Sequence, residues 1–356
     1  MWLKLLFAVD KKRFFLINQF VDELRRKGMD CLVIGDLDIY DRDGGRSKYL
    51  KWIGSPKKFQ NILLDFQPDI VFTERVGHFS SLIIKKNLPL IIFLRGDYWN
   101  EVVSEKNANN NLNKFYVENI IKQNIAEKCF RESTLILPIC KYLKHVVEKR
   151  YPEKLISVLY QGIEFSEWYY EKGMELKHPC VGFVQDANIW EKTKQMKLLP
   201  HIMEKLPHVN FYWAGDGKYA AEILQLLEKY ENFHWLKRLE YPIGVRKFFS
   251  EIDIYGLLSG IDMSPHTLLE ASLMKKPVIA TNVGGISESC NNGETGFLVS
   301  KDDVNDWVEK ITVLLENKEM RETMGGAGFR NIRENFLWEK IAGDFIDILK
   351  VKKLFR

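Results

Sequence analysis

The chain has 356 residues, too many for one ordinary hydrophobic core and enough for two, and its 46% hydrophobic and 13% aromatic content excludes a disordered polymer. Its five cysteines, Cys31, Cys129, Cys140, Cys180 and Cys290, are odd in number and form no CxxC pair. That argues against a disulfide framework and a zinc site, and points to the cytoplasm. Charge is uneven: residues 1–164 hold 27 Lys/Arg against 20 Asp/Glu and the rest 25 against 28, a basic half (+7) before an acidic one (−3), so an anionic partner suits the first half alone.

The opening residues, MWLKLLFAVDKKRFF, carry an apolar run of only about seven residues, followed rather than preceded by its basic cluster, which reads as a first buried strand and not as a signal core. Short apolar runs then alternate with helical patterns, the signature of parallel α/β units. In the first half the predicted strands are LKLLFAV, CLVIG, DIVFT, PLIIFL, TLILP and ISVLY. The helix FLINQFVDELRRKG ends on a basic turn and Gly28. Glu105 to Lys114, EKNANNNLNK, is Asn-rich and reads as an exposed loop.

In the second half the predicted strands are CVGFV, VNFYWA, FHWL, DIYGLL, PVIA and FLV. Between the two series lies a polar stretch, residues 163–179, without periodicity. Domains are therefore placed at 1–165 and 180–337 with a linker at 166–179. The last helix, LWEKIAGDFIDILKVKK, has an apolar spacing (Leu337, Ile341, Phe345, Ile348) that needs a surface to cover, so 338–356 is expected to return to the first domain. No apolar stretch approaches the roughly 20 residues that span a bilayer.

Two basic segments offer an anionic surface. Lys11, Lys12 and Arg13 abut Phe14 and Phe15, and KYLKHVVEKRY (Lys141 to Tyr151) interleaves bases with apolar residues at helical spacing. An anionic membrane surface fits these better than nucleic acid, for which no motif appears, and ordinary solvated helix faces fit them too.

The most informative segment is Asp262 to Gly285, DMSPHTLLEASLMKKPVIATNVGG. Ser264 and Pro265 read as N-cap and first helical residue, leaving the His266 and Thr267 N–H groups at a helix start suited to phosphate. Glu270 lies one turn on, and Asp262 precedes the cap, so two acids bracket the place of a diphosphate. The same spacing fits a capped helix with solvated acids. The segment resembles the donor-binding signature of the family-4 retaining glycosyltransferases (glycosyl transferases group 1), E-x7-E followed by PVIAT and VGG, with Asp262 in place of the first Glu. ESCNNGETGFLVSKDD, WAGDGKYAAEI and FHWLKRLEYP are similar to further segments of that family.

This resemblance implies two doubly wound Rossmann-like α/β domains facing across a cleft, the GT-B fold, with a nucleotide-diphosphate sugar as donor and no cofactor. It implies donor-binding roles for Glu270, His266, Thr267, Ser264, Gly215, Gly217 and Lys194. Lys192 matches the Lys of the family's G-R-x4-K-G loop, while Asp186 stands at its Arg position. Where the family often has His-Gly, this chain has LRGDYW, so Arg95 and Asp97 are expected to serve at the reaction centre with Lys192 and Asp262, or to form a strand-end ion pair. A metal is not expected, because the helix end and bases neutralise the diphosphate and no Asp-x-Asp cluster suited to a divalent ion stands at a strand end.

The function so implied is retaining transfer of a sugar to a glycan or lipid-linked acceptor, by a cytoplasmic protein peripheral to the inner membrane face. A degenerate homologue that binds a nucleotide-sugar without transfer, and a GT-B nucleotide-sugar epimerase, are the alternatives.

Overall fold

The computed structural model describes residues 3–9, 14–39, 57–100 and 114–354. The chain divides into two compact units, Met1–Gly162 with Trp338–Arg356, and Ile163–Leu337. Asp10 to Arg13 and most of the Asn-rich segment lie outside the described residues.

In the first unit the apolar runs form five parallel strands: β1 (Lys4–Ala8), β2 (Asp30–Ile34), β3 (Ile70–Glu74), β4 (Leu90–Leu94) and β5 (Leu135–Pro138). Their order is β2-β1-β3-β4-β5. Every residue of β4 is buried, as expected for a central strand covered on both faces. ISVLY does not become a sixth strand. Ile156 makes only an isolated bridge to Ile136, and Leu159 N–H bonds the Pro138 carbonyl at 3.0 Å, so the segment touches β5 without a continuous ladder.

The helix Trp338–Val351 belongs to this unit. Phe20 of the helix Phe14–Arg26 packs on Phe7, Phe72, Trp338 and Phe345, joining both helices to the sheet through aromatic contacts. Its buried stripe is Trp338, Ile341, Ala342, Phe345, Ile346 and Leu349. Leu337 and Ile348, expected in that stripe, are only partly covered, because the face is wider than one residue per turn and centred on its neighbours. On the helix Lys141–Arg150, Leu143 and Val147 are buried, so the apolar part of KYLKHVVEKRY faces the core and its outer face is basic with Tyr142. Among the described residues, no helix is long and apolar enough to cross a membrane.

The second unit has six parallel strands: β6 (Cys180–Val184), β7 (Asn210–Ala214), β8 (Phe233–Lys237), β9 (Ile254–Leu257), β10 (Val278–Thr281) and β11 (Gly296–Val299). The order β11-β10-β9-β6-β7-β8 is doubly wound, with the chain running outward in both directions from β6 and β9. The polar stretch after Ile163 is not a free tether. Trp168 is buried against Phe249, Arg246 bonds Glu171 Oε2 at 2.7 Å and the Glu167 carbonyl at 3.0 Å, and Lys177 N–H bonds Tyr212 Oη at 2.8 Å. This stretch therefore lies with the second unit.

Candidate functional site

In a doubly wound sheet, ligands settle at the carboxyl ends of the strands where the order reverses, here between β6 and β9. The two loops that leave those strands carry Lys192, on the short helix Trp190–Thr193, and Asp262. The structure brings them together: Lys192 Nζ donates to Asp262 Oδ2 at 2.8 Å. The Asp262 side chain is only 11% exposed, and its Oδ1 accepts Met263 N–H at 2.9 Å. The pair is thus held by backbone as well as by charge.

Behind Asp262 runs the VGG turn. Gly285 N–H bonds the Asp262 carbonyl at 2.9 Å, and Gly284 has φ +58° with room for no side chain, since a Cβ there would lie 2.0 Å from the Asp262 oxygen. Glycine is required by conformation and by contact at once. Gly284→Ala is expected to destabilise the second unit by about 2–4 kcal/mol. Denaturant unfolding checks this, and a loss within about 0.5 kcal/mol would mean that the turn relaxes at little cost.

The helix after Asp262 begins one residue later than expected. It spans His266–Leu273, and Pro265, with φ −70° and ψ 120°, is itself the N-cap. Proline has no side-chain acceptor, so this helix start is formed without the side-chain cap assigned to Ser264. Thr267 Oγ1 is turned inward to Tyr255 Oη, at 2.5 Å, while His266 is partly buried at the helix start.

Glu270, one turn further, is buried. Its Oε1 accepts a hydrogen bond from the Tyr241 hydroxyl at 3.0 Å, and its buried Oε2 has no hydrogen-bond partner among the described residues. Burial pushes the Glu270 carboxyl up to about 8, with the Tyr241 hydrogen bond pulling it down.

Asp186, on the loop after β6, does not oppose this site as an isolated acid. Arg238 Nη2, from the end of β8, donates to both its carboxylate oxygens at 3.0 Å. Lys194 is ion-paired with Glu191. Gly215 and Gly217 do make a close approach, but to protein: a Cβ on Gly215 would lie 2.0 Å from the Gln185 carbonyl oxygen and one on Gly217 2.6 Å from the Ala187 carbonyl carbon. Ala187 N–H bonds the Asp216 carbonyl at 2.9 Å, so the GDG turn supports the loop that carries Asp186.

Arg95 and Asp97 lie in the first unit and do not pair with each other. Arg95 is ion-paired with Glu74 and donates to Gln161 Oε1 at 2.7 Å, while Asp97 accepts Asn100 N–H at 3.1 Å and its Nδ2 at 2.6 Å. The partners of Arg95 are remote in sequence, whereas that of Asp97 is only three residues on. An Asp-x-Asp does follow β2 directly. Asp38 Oδ2 accepts Gly35 N–H at 2.7 Å, and Asp36 meets His78 Nε2 at 2.7 Å beyond β3, a carboxylate–imidazole contact that no motif announces. At the opposite, amino end of the second sheet, His178, Cys180 and Asp253 stand together. Asp253 Oδ2 is bonded there by Cys180 N–H and by His178 Nδ1, each at 2.8 Å, and burial pushes the Cys180 thiol up to about 12.

Two parallel-sheet α/β units, the second of them doubly wound, make the GT-B fold. Residues 176–330 match the family described as glycosyl transferases group 1, and the second unit is a domain of that family. Over 234 residues the chain is 29% identical to an uncharacterized glycosyltransferase of Methanocaldococcus jannaschii, covering 62% of each chain. The chain thus spans less than two thirds of the length of the curated relatives it matches.

The structure is similar to sucrose-phosphate synthase from Thermosynechococcus elongatus, with a TM-score of 0.78 at 13% identity over 98% of each chain. It is also similar to Anabaena HepE, solved with UDP-glucose, with a TM-score of 0.70 at 15% identity over 98% of this chain and 99% of that one.

Proposed function

We propose that the protein is a retaining glycosyltransferase that moves a sugar from a nucleotide-diphosphate sugar to a glycan or lipid-linked acceptor. The observation that carries this is the Lys192–Asp262 pair at the strand-order reversal, in which Asp262 precedes the helix start at His266 and shares its motif with Glu270. As the diphosphate departs, negative charge grows on its oxygens. A fixed ammonium and a helix N-terminus stabilise that charge, and such preorganised groups are commonly the largest catalytic contribution. Glu270 takes the nucleoside end and Asp262 the sugar, so the diphosphate lies between them. The positive groups of the protein take the place of a divalent cation in this reading, so a chelator should leave turnover unchanged.

The test is to incubate the protein with UDP-, GDP-, ADP- and dTDP-sugars and membrane extract and to measure nucleoside diphosphate released. Release with one donor is expected. Binding without any release would support the second reading, a nucleotide-sugar binder without transfer, which the commitment of Lys192 to Asp262 favours.

Asp262→Asn separates the sugar from the nucleotide. The neutral amide keeps the shape but loses the charge that orients a sugar hydroxyl and holds the ammonium, so turnover of the nucleotide-sugar is expected to fall about tenfold or more. Affinity for the free nucleoside diphosphate should be spared. Equal loss of both in steady-state kinetics and calorimetry would move Asp262 to the nucleotide or to folding.

A further inference from the structure

Tyr241 lies three residues beyond Arg238, on the segment that joins β8 to the helix Ile243–Glu251. Its hydroxyl is the only hydrogen-bond donor to the Glu270 carboxylate among the described residues. The two partners sit very differently, since Glu270 is 1% exposed while Tyr241 is 48% exposed. Glu270 Oε1 is occupied by the tyrosine and Oε2 is buried without a donor, an arrangement that is unfavourable until something supplies one. A ligand hydroxyl is the matching group.

We propose that Tyr241 is the positioning residue of the nucleoside end of the site, its hydroxyl fixing Glu270 so that Oε2 is the atom offered to a ligand hydroxyl. This rests on the reading of Glu270 as the nucleoside-binding carboxylate. Among the described residues no cation hydrogen-bonds the carboxylate. Tyr255 of β9 is buried within electrostatic reach of Glu270 and Asp262, and its hydroxyl is bonded to Thr267. Glu167 acts on Tyr241, His266 begins the helix that bears Glu270, and the Lys192 ammonium is bonded to Asp262. Tyr241 thus governs both the direction of the carboxylate and the ease with which it ionises.

The experiment is calorimetric titration of the full chain with UDP, GDP, ADP and dTDP, continued with the tightest of them at pH values on both sides of about 8. Wild-type affinity is expected to rise with pH as Glu270 ionises. Tyr241→Phe removes one oxygen from a half-exposed ring, so the fold is retained. It should weaken binding about tenfold below the midpoint and move that midpoint to higher pH. In a Glu270→Gln background, Tyr241→Phe should add nothing, because its effect runs through the carboxylate.

An unmoved midpoint, a loss that adds to that of Glu270→Gln, or tighter binding by Tyr241→Phe overturns the proposal; the last would mean that the hydroxyl competes with the ligand. If Glu270→Gln itself binds like wild type, the reading of Glu270 falls first. If Glu270→Gln weakens binding and Tyr241→Phe does not, only the positioning role falls.

Discussion

Lys192→Ala is expected to lower sugar-transfer turnover about 10²-fold or more, with a smaller effect on donor affinity. The reasoning begins with the ion pair. The Lys192 ammonium is held 2.8 Å from Asp262 Oδ2, and a third of its side chain remains exposed, so it is both fixed and reachable. A group that meets the diphosphate equally before and during departure would change affinity alone. One that meets charge as it grows changes turnover. Removal of the ammonium also leaves Asp262 partly buried without its counter-charge, so the thermal midpoint should be measured beside the kinetics. Lys192→Ala in an Asp262→Asn background provides the control, since no unpaired acid is left there. Nucleoside diphosphate release that survives Lys192→Ala at wild-type rate would remove Lys192 from the chemistry.

The second large effect is expected from Glu270→Gln, which should weaken nucleoside-diphosphate binding about 10- to 100-fold, the range for a hydrogen bond to a charged group. The same substitution should stabilise the ligand-free protein. Burial raises the folded carboxyl from 4.5 to about 8, so between those values the native state holds a proton that the unfolded chain has released. Stability therefore falls as pH rises through that window and is level above it. Glu270→Gln removes the slope, and its thermal midpoint at pH 8 should exceed that of wild type by at least about 2–4 °C. Binding at neutral pH should release a proton from Glu270, read by calorimetry in buffers of different ionisation enthalpy. A variant that binds normally, or that unfolds earlier at every pH, would show that the burial of Glu270 is structural only.

Much of this was legible because parallel sheets write themselves into sequence. Continuous apolar runs such as PLIIFL and the alternation of strand and helix patterns gave eleven of the twelve expected strands. ISVLY failed because an apolar run is necessary for a buried strand but does not supply a ladder partner along its length. The cap at Ser264 failed by one residue, because the extended backbone of Pro265 makes it the N-cap although its side chain offers no acceptor. Asp262, Glu270 and Lys192 could be singled out because each lies in a motif that is local in sequence. Their partners could not.

The sequence by itself determined the two-unit α/β class, the strands that place their loops at one edge, the acids of the central motif and the lysine of the loop after CVGFV. It did so because periodicity, turn residues and short spacings are properties of neighbours along the chain. Tertiary structure alone decided that Arg238 answers Asp186, that Tyr241 answers Glu270, that Glu74 rather than Asp97 holds Arg95, and that the GDG glycines yield to a loop instead of a ligand. Those choices join residues up to 52 positions apart, and they are set by strand order and by which side chains meet at the carboxyl edge of a sheet, where sequence distance carries no information.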